Sequence, residues 1–258
     1  MTKPLILITN DDGVLSPGLL TVAEAVESVG DLVIAAPRFQ QTSMGRSFPR
    51  SDMGGVIETL EMQVNGKTLP AYGVHGSPAM AVSHGILEIS PRQPDLVISG
   101  VNYGENIGFS ITASGTLGAA FQASGFGIPS LAISLQTPVD MHNGAEYGKV
   151  NWDAARYFTR HFTEKALQEG FAPNIATWNI NIPADATPDT PIKKTHVSRQ
   201  NYYVVIKPER TDWSVPYHVQ AKQWYDPATL EPDSDIYAFC VEHKVTVTPI
   251  GWHFAGLS

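Results

Sequence analysis

The sequence is poor in cysteine and in positive charge. Cys240 is the single cysteine among 258 residues, so no intrachain disulfide can form, which fits a reducing compartment. Lys and Arg number 17 against 25 Asp and Glu, which gives a formal net charge of −8. Nucleic acids and membrane surfaces are polyanionic, so we expect neither polymeric nucleic acid nor a membrane as partner. A small anionic substrate would need a local device, such as a metal ion, to overcome the general repulsion.

Long hydrophobic runs and two nucleotide-binding motifs are also missing. The N-terminus, Met1-Thr2-Lys3-Pro4, leads into an apolar run of only about five residues, too short for a signal-peptide core or a membrane span. We therefore expect a cytoplasmic protein. No G-x-x-x-x-G-K-[ST] occurs, which excludes a Walker P-loop NTPase, and no G-x-G-x-x-G follows the first strand, which removes the dinucleotide fingerprint.

Apolar residues make up 43% of the chain, enough for a sizeable core. Short apolar runs and amphipathic segments alternate up to about residue 182 and predict an α/β, Rossmann-like doubly wound sheet over residues 1–182. Residues 183–258 carry more prolines and aromatics and only short apolar runs, which predicts a strand-rich C-terminal extension, packed on the body or swapped in an oligomer. The predicted strands are 5–9, 31–36, 56–64, 68–74, 95–99, 130–135 and 175–182, and the predicted helices are 17–29, 77–87, 116–125 and 145–169.

Polar clusters follow three of these strands. Asn10, Asp11 and Asp12 end the first strand, a Ser- and Gly-rich loop begins at Arg38, and a Gly- and Asn-rich loop spans 100–108. The carboxyl ends of parallel strands meet at one edge of a sheet, so we expect these clusters to converge there. The adjacent carboxylates fit a hard cation such as Mg²⁺ or Mn²⁺, or a solvated turn in which one Asp caps the next helix.

The loops offer further oxygen ligands and an anion site. Hydroxyls at Thr42, Ser43 or Ser47 could complete a cation shell, and Arg46 could meet a phosphate, although the spacing alone favours an ordinary polar loop. Asn102 and Asn106 suit either neutral ligands or turn chemistry. Ser114-Gly115-Thr116 precedes a helix, where free backbone N–H groups bind anions, or where Ser or Thr serves as a plain N-cap. The histidines His75, His84 and His142 are weak candidates, because none forms a metal-spaced pair.

Together the motifs resemble those of one family, the stationary-phase survival proteins (SurE). The resemblance is close over residues 5 to about 135 and thinner beyond. The matching motifs are T-N-D-D-G at 9–13, A-P at 36–37 with its hydroxyl-bearing loop, S-G-V-N-Y-G-E-N-I-G at 99–108, S-G-T-L-G-A-A at 114–120, G-I-P-S-L-A-I-S at 127–134, and, less closely, N-I-N-I-P at 179–183 and V-T-V-T-P-I at 245–250.

The resemblance implies a metal-dependent phosphatase acting on nucleoside 5′- and 3′-monophosphates, assembled as a homodimer or homotetramer with a swapped C-terminal extension. It implies catalytic roles for Asp11 and Asp12 and one divalent cation per subunit, Mg²⁺ or Mn²⁺, held by both of them, a loop hydroxyl and Asn102. An ungapped count from Ala36 places that hydroxyl on Thr42, with Ser43 one residue away.

The sequence features and the resemblance together predict the substrate contacts. We expect the phosphate oxygens to contact the start of the helix at Ser114-Gly115-Thr116. We expect Tyr103 to stack on the base, unless its ring only packs on its own domain. The expected substrate-binding residues are Asn10, Asn106, Ser114, Gly115, Thr116 and Tyr103.

The chain departs from the family pattern in places. The family's G-T-P-A-D-C-V is here Gly76-Ser-Pro-Ala-Met-Ala-Val82, without the Asp and Cys, and Ala113 replaces an aromatic. Glu242-His243-Lys244 replaces a glycine-rich segment. These changes bear on substrate preference and assembly. A catalytically silent nucleotide- or metal-binding protein is the alternative. A haloacid-dehalogenase-type phosphatase is disfavoured, since its D-x-D spacing does not match N-D-D-G.

Overall fold

A computed structural model of the protein describes residues 3–142 and 147–251. The strands are β1 (Leu5–Thr9), β2 (Asp31–Pro37), β3 (Ile57–Val64), β4 (Lys67–Val74), β5 (Leu96–Tyr103), β6 (Ser130–Leu135), β7 (Thr177–Ile182), β8 (Ile192–Lys194), β9 (Tyr203–Val205), β10 (Ala221–Gln223) and β11 (Val245–Ile250). The α-helices are α1 (Pro17–Val26), α2 (Pro78–His84), α3 (Gly115–Gly125) and α4 (Asp153–Glu169). The predicted α/β fold class is confirmed.

The strands form a nine-stranded sheet in the order β3-β4-β2-β1-β5-β6-β7-β11-β8. The six central strands from β4 to β7 run parallel, and β3 and β11 are antiparallel to the strands beside them, β4 and β7 respectively. β9 and β10 form a separate antiparallel ribbon. Because β1, β2 and β5 run parallel, the loops that follow them open at the same edge of the sheet. The strand order changes direction at β1, with β2 on one side and β5 on the other, and ligands bind at such a point in folds of this kind.

The side chains of β1 point alternately into two hydrophobic cores, one on each face of the sheet. Ile6 and Ile8 pack with the apolar faces of α1 and α4, including Phe158 and Phe162. Leu7 packs on the opposite face with residues of α2 and α3. Because successive side chains of a strand point to opposite faces, a strand covered on both sides is apolar on both, as residues Leu5 to Ile8 of β1 are.

β3 and β4 form an antiparallel hairpin. Asn65 and Gly66 connect β3 to β4 with φ of 47° and 80°. Positive φ at both central residues is the backbone of the tight turn that matches the twist of antiparallel strands.

The structure corrects several predicted boundaries, and α1 ends at Val26 instead of residue 29. β5 runs on to Tyr103, so the segment expected to be a loop from Gly100 begins as strand. α4 begins at Asp153 and not at Ala145, and part of that predicted start lies outside the described residues. The helix predicted to run to Leu87 ends as α-helix at His84 and continues as a wider turn.

The extension is partly built into the main sheet. β11 lies between β7 and β8 and pairs with both, whereas the other three strands of the extension are only three residues long. The division at residue 182 stays a prediction, and residues 252–258 lie outside the described part.

Candidate functional site

The two carboxylates after β1 are buried. Asp11 is 4% exposed and Asp12 2% exposed, which argues against a solvated turn. Asn10 holds the turn in shape, since its amide nitrogen donates to Ser16 Oγ at 2.6 Å and its carbonyl oxygen accepts from Gly13 N at 3.2 Å. The Asn10 amide is therefore engaged within the turn, and its contact with substrate stays a prediction.

Asp11 faces the first turn of α3. The Thr116 hydroxyl donates to Asp11 Oδ1 at 2.7 Å. A Cβ on Gly115 would lie 2.7 Å from both Cβ and Oδ2 of Asp11, so this close approach requires glycine. Ser114 caps the helix by accepting from Leu117 N at 3.2 Å. The predicted anion site and the predicted cation ligand therefore lie next to each other.

Asp12 is held by the other two loops. Its Oδ2 accepts from Tyr103 N at 3.3 Å, at the end of β5. Its Oδ1 accepts from Gln40 Nε2 at 3.3 Å, in the loop after β2. Three separate loops thus converge on the acidic pair, as the sheet topology requires.

Burial shifts the acidity of both groups. It raises the pKa of Asp11 to about 6, although hydrogen bonds from Thr116 act in the opposite direction. Burial, and then the charge of Asp11, raise the pKa of Asp12 well above its ordinary value. Among residues 3–142 and 147–251, no Lys, Arg or His side chain forms an ion pair with either Asp. Ionising both groups is therefore costly unless a cation binds.

Thr42 lies in the loop after β2, beside a residue that contacts Asp12. The Thr42 hydroxyl lies 3.4 Å from the backbone oxygen of His142, which also accepts from Gln40 Nε2 at 3.0 Å. Gln40 also donates to Asp12 Oδ1. Ser43 adopts a φ of 62°, a left-handed conformation that favours glycine.

The two asparagines of the β5 loop have different surroundings. Asn102 Nδ2 donates to Gly104 O at 2.7 Å, which leaves its side-chain oxygen for another partner. Asn106 Nδ2 donates to Ser134 Oγ at 3.0 Å and lies 3.5 Å from Thr116 Oγ1. Asn106 therefore connects the loop to the hydroxyl that contacts Asp11.

Two asparagines of β7 were missed from the sequence. Asn179 Nδ2 donates to Asn106 O at 2.8 Å, and Asn181 Oδ1 accepts from Asn106 N at 2.7 Å. The signal was present in N-I-N-I-P, because Asn at alternate positions of an apolar strand is unusual unless those amides have partners. These residues fix the backbone of Asn106.

Tyr103 is buried, with 4% of its surface exposed. Its ring stacks on Tyr147, with centroids 5.9 Å apart, and meets Trp152 edge-on at 5.1 Å. This geometry favours packing on its own domain over stacking with a base.

Residues of the C-terminal extension form hydrogen bonds with the loop after β5. Tyr203 OH donates to Glu105 Oε1 at 3.1 Å, and Gln223 Nε2 donates to the same oxygen at 2.6 Å. The backbone N–H of Gly108 donates to Asp235 Oδ2 at 3.0 Å. Sequence reasoning gave Glu105 no role, because its partners lie about a hundred residues away.

Other weak candidates lie elsewhere or have other partners. Arg46 Nε donates to Gln122 Oε1 at 2.8 Å, far along α3 from its N-terminus. His75 and His84 each pair with a glutamate. Ser47 has no contact with the acidic pair, and its backbone oxygen accepts from Ser77 Oγ.

Comparison with known proteins gives the family of the chain. The family model described as "Survival protein SurE" matches residues 6–204. The chain belongs to the SurE family. A protein of Methanosarcina barkeri named 5′-nucleotidase SurE is 35% identical over 97% of this chain and 92% of its own length. A protein of the same name from Methanocaldococcus jannaschii is 36% identical over 95% and 91%.

The likeness extends to the three-dimensional structure. The crystal structure of the SurE protein from Aquifex aeolicus superposes with a TM-score of 0.75 at 26% identity, covering 98% of this chain and 95% of that one. These SurE alignments include the C-terminal extension, where the sequence resemblance was thin.

Within the described residues, no helix has the length and apolar character needed to cross a bilayer.

Proposed function

We propose that this chain is a metal-dependent 5′-nucleotidase that hydrolyses nucleoside monophosphates to nucleoside and phosphate, with activity on 3′-monophosphates as well. The two SurE relatives above are named 5′-nucleotidases. The observation that carries the proposal is the pair of adjacent, buried carboxylates at the N-terminus of α3. A phosphate at that helix start would repel Asp11 unless a cation lay between them.

The donor set fits one hard divalent cation, Mg²⁺ or Mn²⁺. No group of three or more His, Cys, Asp or Glu side chains within residues 3–142 and 147–251 could hold a metal. The acidic pair must then be completed by neutral oxygens, for which Thr42 or Ser43 and Asn102 are proposed. Carboxylate, hydroxyl and amide oxygens are the ligands such ions prefer. When bound, the cation would polarise the phosphoryl group and neutralise developing charge.

The chain's own groups would position the phosphate. The backbone N–H groups in the first turn of α3, among them that of Gly115, can donate to phosphate oxygens. The backbone N–H of Thr116 donates to Asp11, so Thr116 holds the carboxylate beside the proposed phosphate site. Ser114 stays engaged as the cap, and Asn106 orients the Thr116 hydroxyl. Most of the rate enhancement in phosphoryl transfer comes from such positioning and charge stabilisation.

Phosphate release tests the proposal against a silent binding protein. We expect release from AMP and from 3′-AMP when Mn²⁺ or Mg²⁺ is added, and its loss with a chelator. Restoring the cation should restore activity. Nucleotide binding without phosphate release at any cation concentration would favour the silent binder.

The loop hydroxyl gives a sharper test of the cation shell. We expect Thr42→Ala to weaken Mn²⁺ binding about tenfold or more, because Thr42 lies beside the Gln40 contact to Asp12. Ser43→Ala should bind Mn²⁺ as wild type does, and Ser43→Gly should raise the melting temperature slightly, since glycine suits a positive φ. Titration calorimetry would measure the affinities. Equal Mn²⁺ affinities for Thr42→Ala and wild type would remove this hydroxyl from the shell.

We also propose a homodimer or homotetramer in the cytoplasm. The extension exposes large apolar side chains, among them Trp213 at 84%, Val219 at 63% and Trp224 at 52%. Exposed aromatics at this density are typical of an interface with another chain. Light scattering at micromolar concentration should give at least the dimer mass, and a monomer mass would contradict the assembly.

A further inference from the structure

Tyr147 is a partly exposed aromatic beside the acidic turn. Its hydroxyl donates to the backbone oxygen of Asp12 at 2.9 Å, and 39% of its surface is exposed. One face of its ring stacks on the buried ring of Tyr103, which Trp152 supports from the side. The ring is therefore held rigidly at both its hydroxyl end and one face.

The position suits the base of a nucleotide. A phosphate bound between Asp12 and the start of α3 is separated from its base by a single ribose. The Tyr147 hydroxyl contacts the backbone oxygen of Asp12, so its partly exposed ring lies within one side-chain length of the acidic turn. Because the hydroxyl is engaged with Asp12, the ring offers a π-face and no polar group with which to read the base.

Phe39 is a second exposed aromatic beside the turn, but it fits the role less well. It is 59% exposed, and its backbone lies close to Gly13. The guanidinium of Arg38 lies 4.8 Å above its ring, and His75 meets the ring edge-on. The Arg38 contact covers one face of Phe39 with a charge, whereas the supported face of Tyr147 is backed by a buried ring.

We propose that Tyr147 stacks on the base of the bound nucleoside monophosphate and makes base recognition tolerant of base identity. Stacking is open to purines and pyrimidines alike, because every base has a π-face. This inference rests on the proposed nucleotidase activity and names the group that holds the nucleoside. It assigns to Tyr147 the role that the sequence suggested for Tyr103.

The test compares AMP and CMP with ribose 5-phosphate, which keeps the ribose and phosphate but lacks the base. The readout is the ratio of kcat/KM for each nucleotide to kcat/KM for ribose 5-phosphate. Tyr147→Ala should lower this ratio about five- to one-hundredfold for both nucleotides, mainly through KM. Tyr147→Phe keeps the ring and should keep the ratio. Tyr147→Leu keeps apolar packing on Tyr103 without a π-face, so it should behave as Tyr147→Ala even if the alanine variant folds poorly.

Tyr157→Ala is the matched control, since Tyr157 is 45% exposed on α4 and stacks on His161 instead. Its ratio should equal that of wild type. An unchanged ratio in Tyr147→Leu, or a fall for Phe39→Ala in its place, would overturn the assignment. If the wild-type enzyme hydrolysed ribose 5-phosphate as well as it hydrolyses AMP, the role of Tyr147 would also be overturned. The proposed phosphatase activity would then still stand. Absence of hydrolysis on every substrate would instead defeat the proposed function.

Discussion

Asp12→Asn is expected to abolish phosphate release and to leave the cation-free protein at least as stable as wild type. Asp12 is 2% exposed and adjacent to Asp11, so its charge is unfavourable in the folded state when no cation is bound. Asparagine has nearly the same shape, carries no charge and can still accept one of the two hydrogen bonds. We expect a melting temperature equal to wild type or higher by a few degrees at pH 8, since about 1 kcal/mol corresponds to about 2–4 °C at this size.

The raised pKa values of the two aspartates determine how the stability of the cation-free protein should change with pH. Burial raises the folded-state pKa of both aspartates, that of Asp11 to about 6. Wild-type stability without a cation should therefore be fully present in acid and fall as pH rises through these folded-state pKa values. Asp12→Asn should show a smaller fall. Added Mn²⁺ should raise the melting temperature of wild type much more than that of the variant.

Glu231→Gln is a control at a residue whose pKa is shifted in the opposite direction from that of Asp12. Although burial raises its pKa, hydrogen bonds from its own backbone, Arg199 and Ser198 bring the pKa of Glu231 down to about 2. Its contribution to stability is present above its unfolded-state pKa and is lost as pH falls, so Glu231→Gln should lower the melting temperature at pH 8 with or without Mn²⁺. If Asp12→Asn lost stability in the same way, or kept more than a few per cent of wild-type activity, Asp12 would not be a cation ligand.

Gly115→Ala is expected to reduce activity about a hundredfold or more. The added methyl group would lie 2.7 Å from Asp11 Cβ and Oδ2, so either Asp11 or the first turn of α3 must move. Displacing positioning groups by about 1 Å can cost a factor of about 10² in rate. Mn²⁺ affinity should fall together with kcat, and the strain should lower the free energy of unfolding by about 1–3 kcal/mol. Calorimetry and steady-state kinetics measure these effects.

Gly125→Ala provides the matched control in the same helix. Its Cβ would meet only the end of the Arg46 side chain, at 3.2 Å, and that side chain can shift. Activity and Mn²⁺ affinity should match wild type. Wild-type Mn²⁺ affinity and kcat in Gly115→Ala would show that the close contact between α3 and Asp11 is not needed.

Local patterns predicted the elements and the acidic turn. A continuous apolar run such as Leu5–Thr9 identifies a strand buried on both faces, whatever its neighbours are. The topology rule then brings loops from different strands to one edge, so Asp12 and the Asn102 loop could be placed together before any distance was known. The helix start at Ser114 was predicted in the same way, because N-caps are local.

Contacts between distant parts of the chain decided the rest. Tyr103 and Tyr147 are both tyrosines near the same turn, and only the packing of Trp152 and Tyr147 against Tyr103 shows which ring is buried. The support of Asn106 by Asn181 depends on β7 lying beside β6, and β11 reaches β7 only because the extension folds back into the sheet. The 2.7 Å approach of α3 to Asp11 is likewise a tertiary distance. Residue type and spacing specify what a side chain can do, but burial and partners depend on which distant elements of the chain become neighbours in the fold.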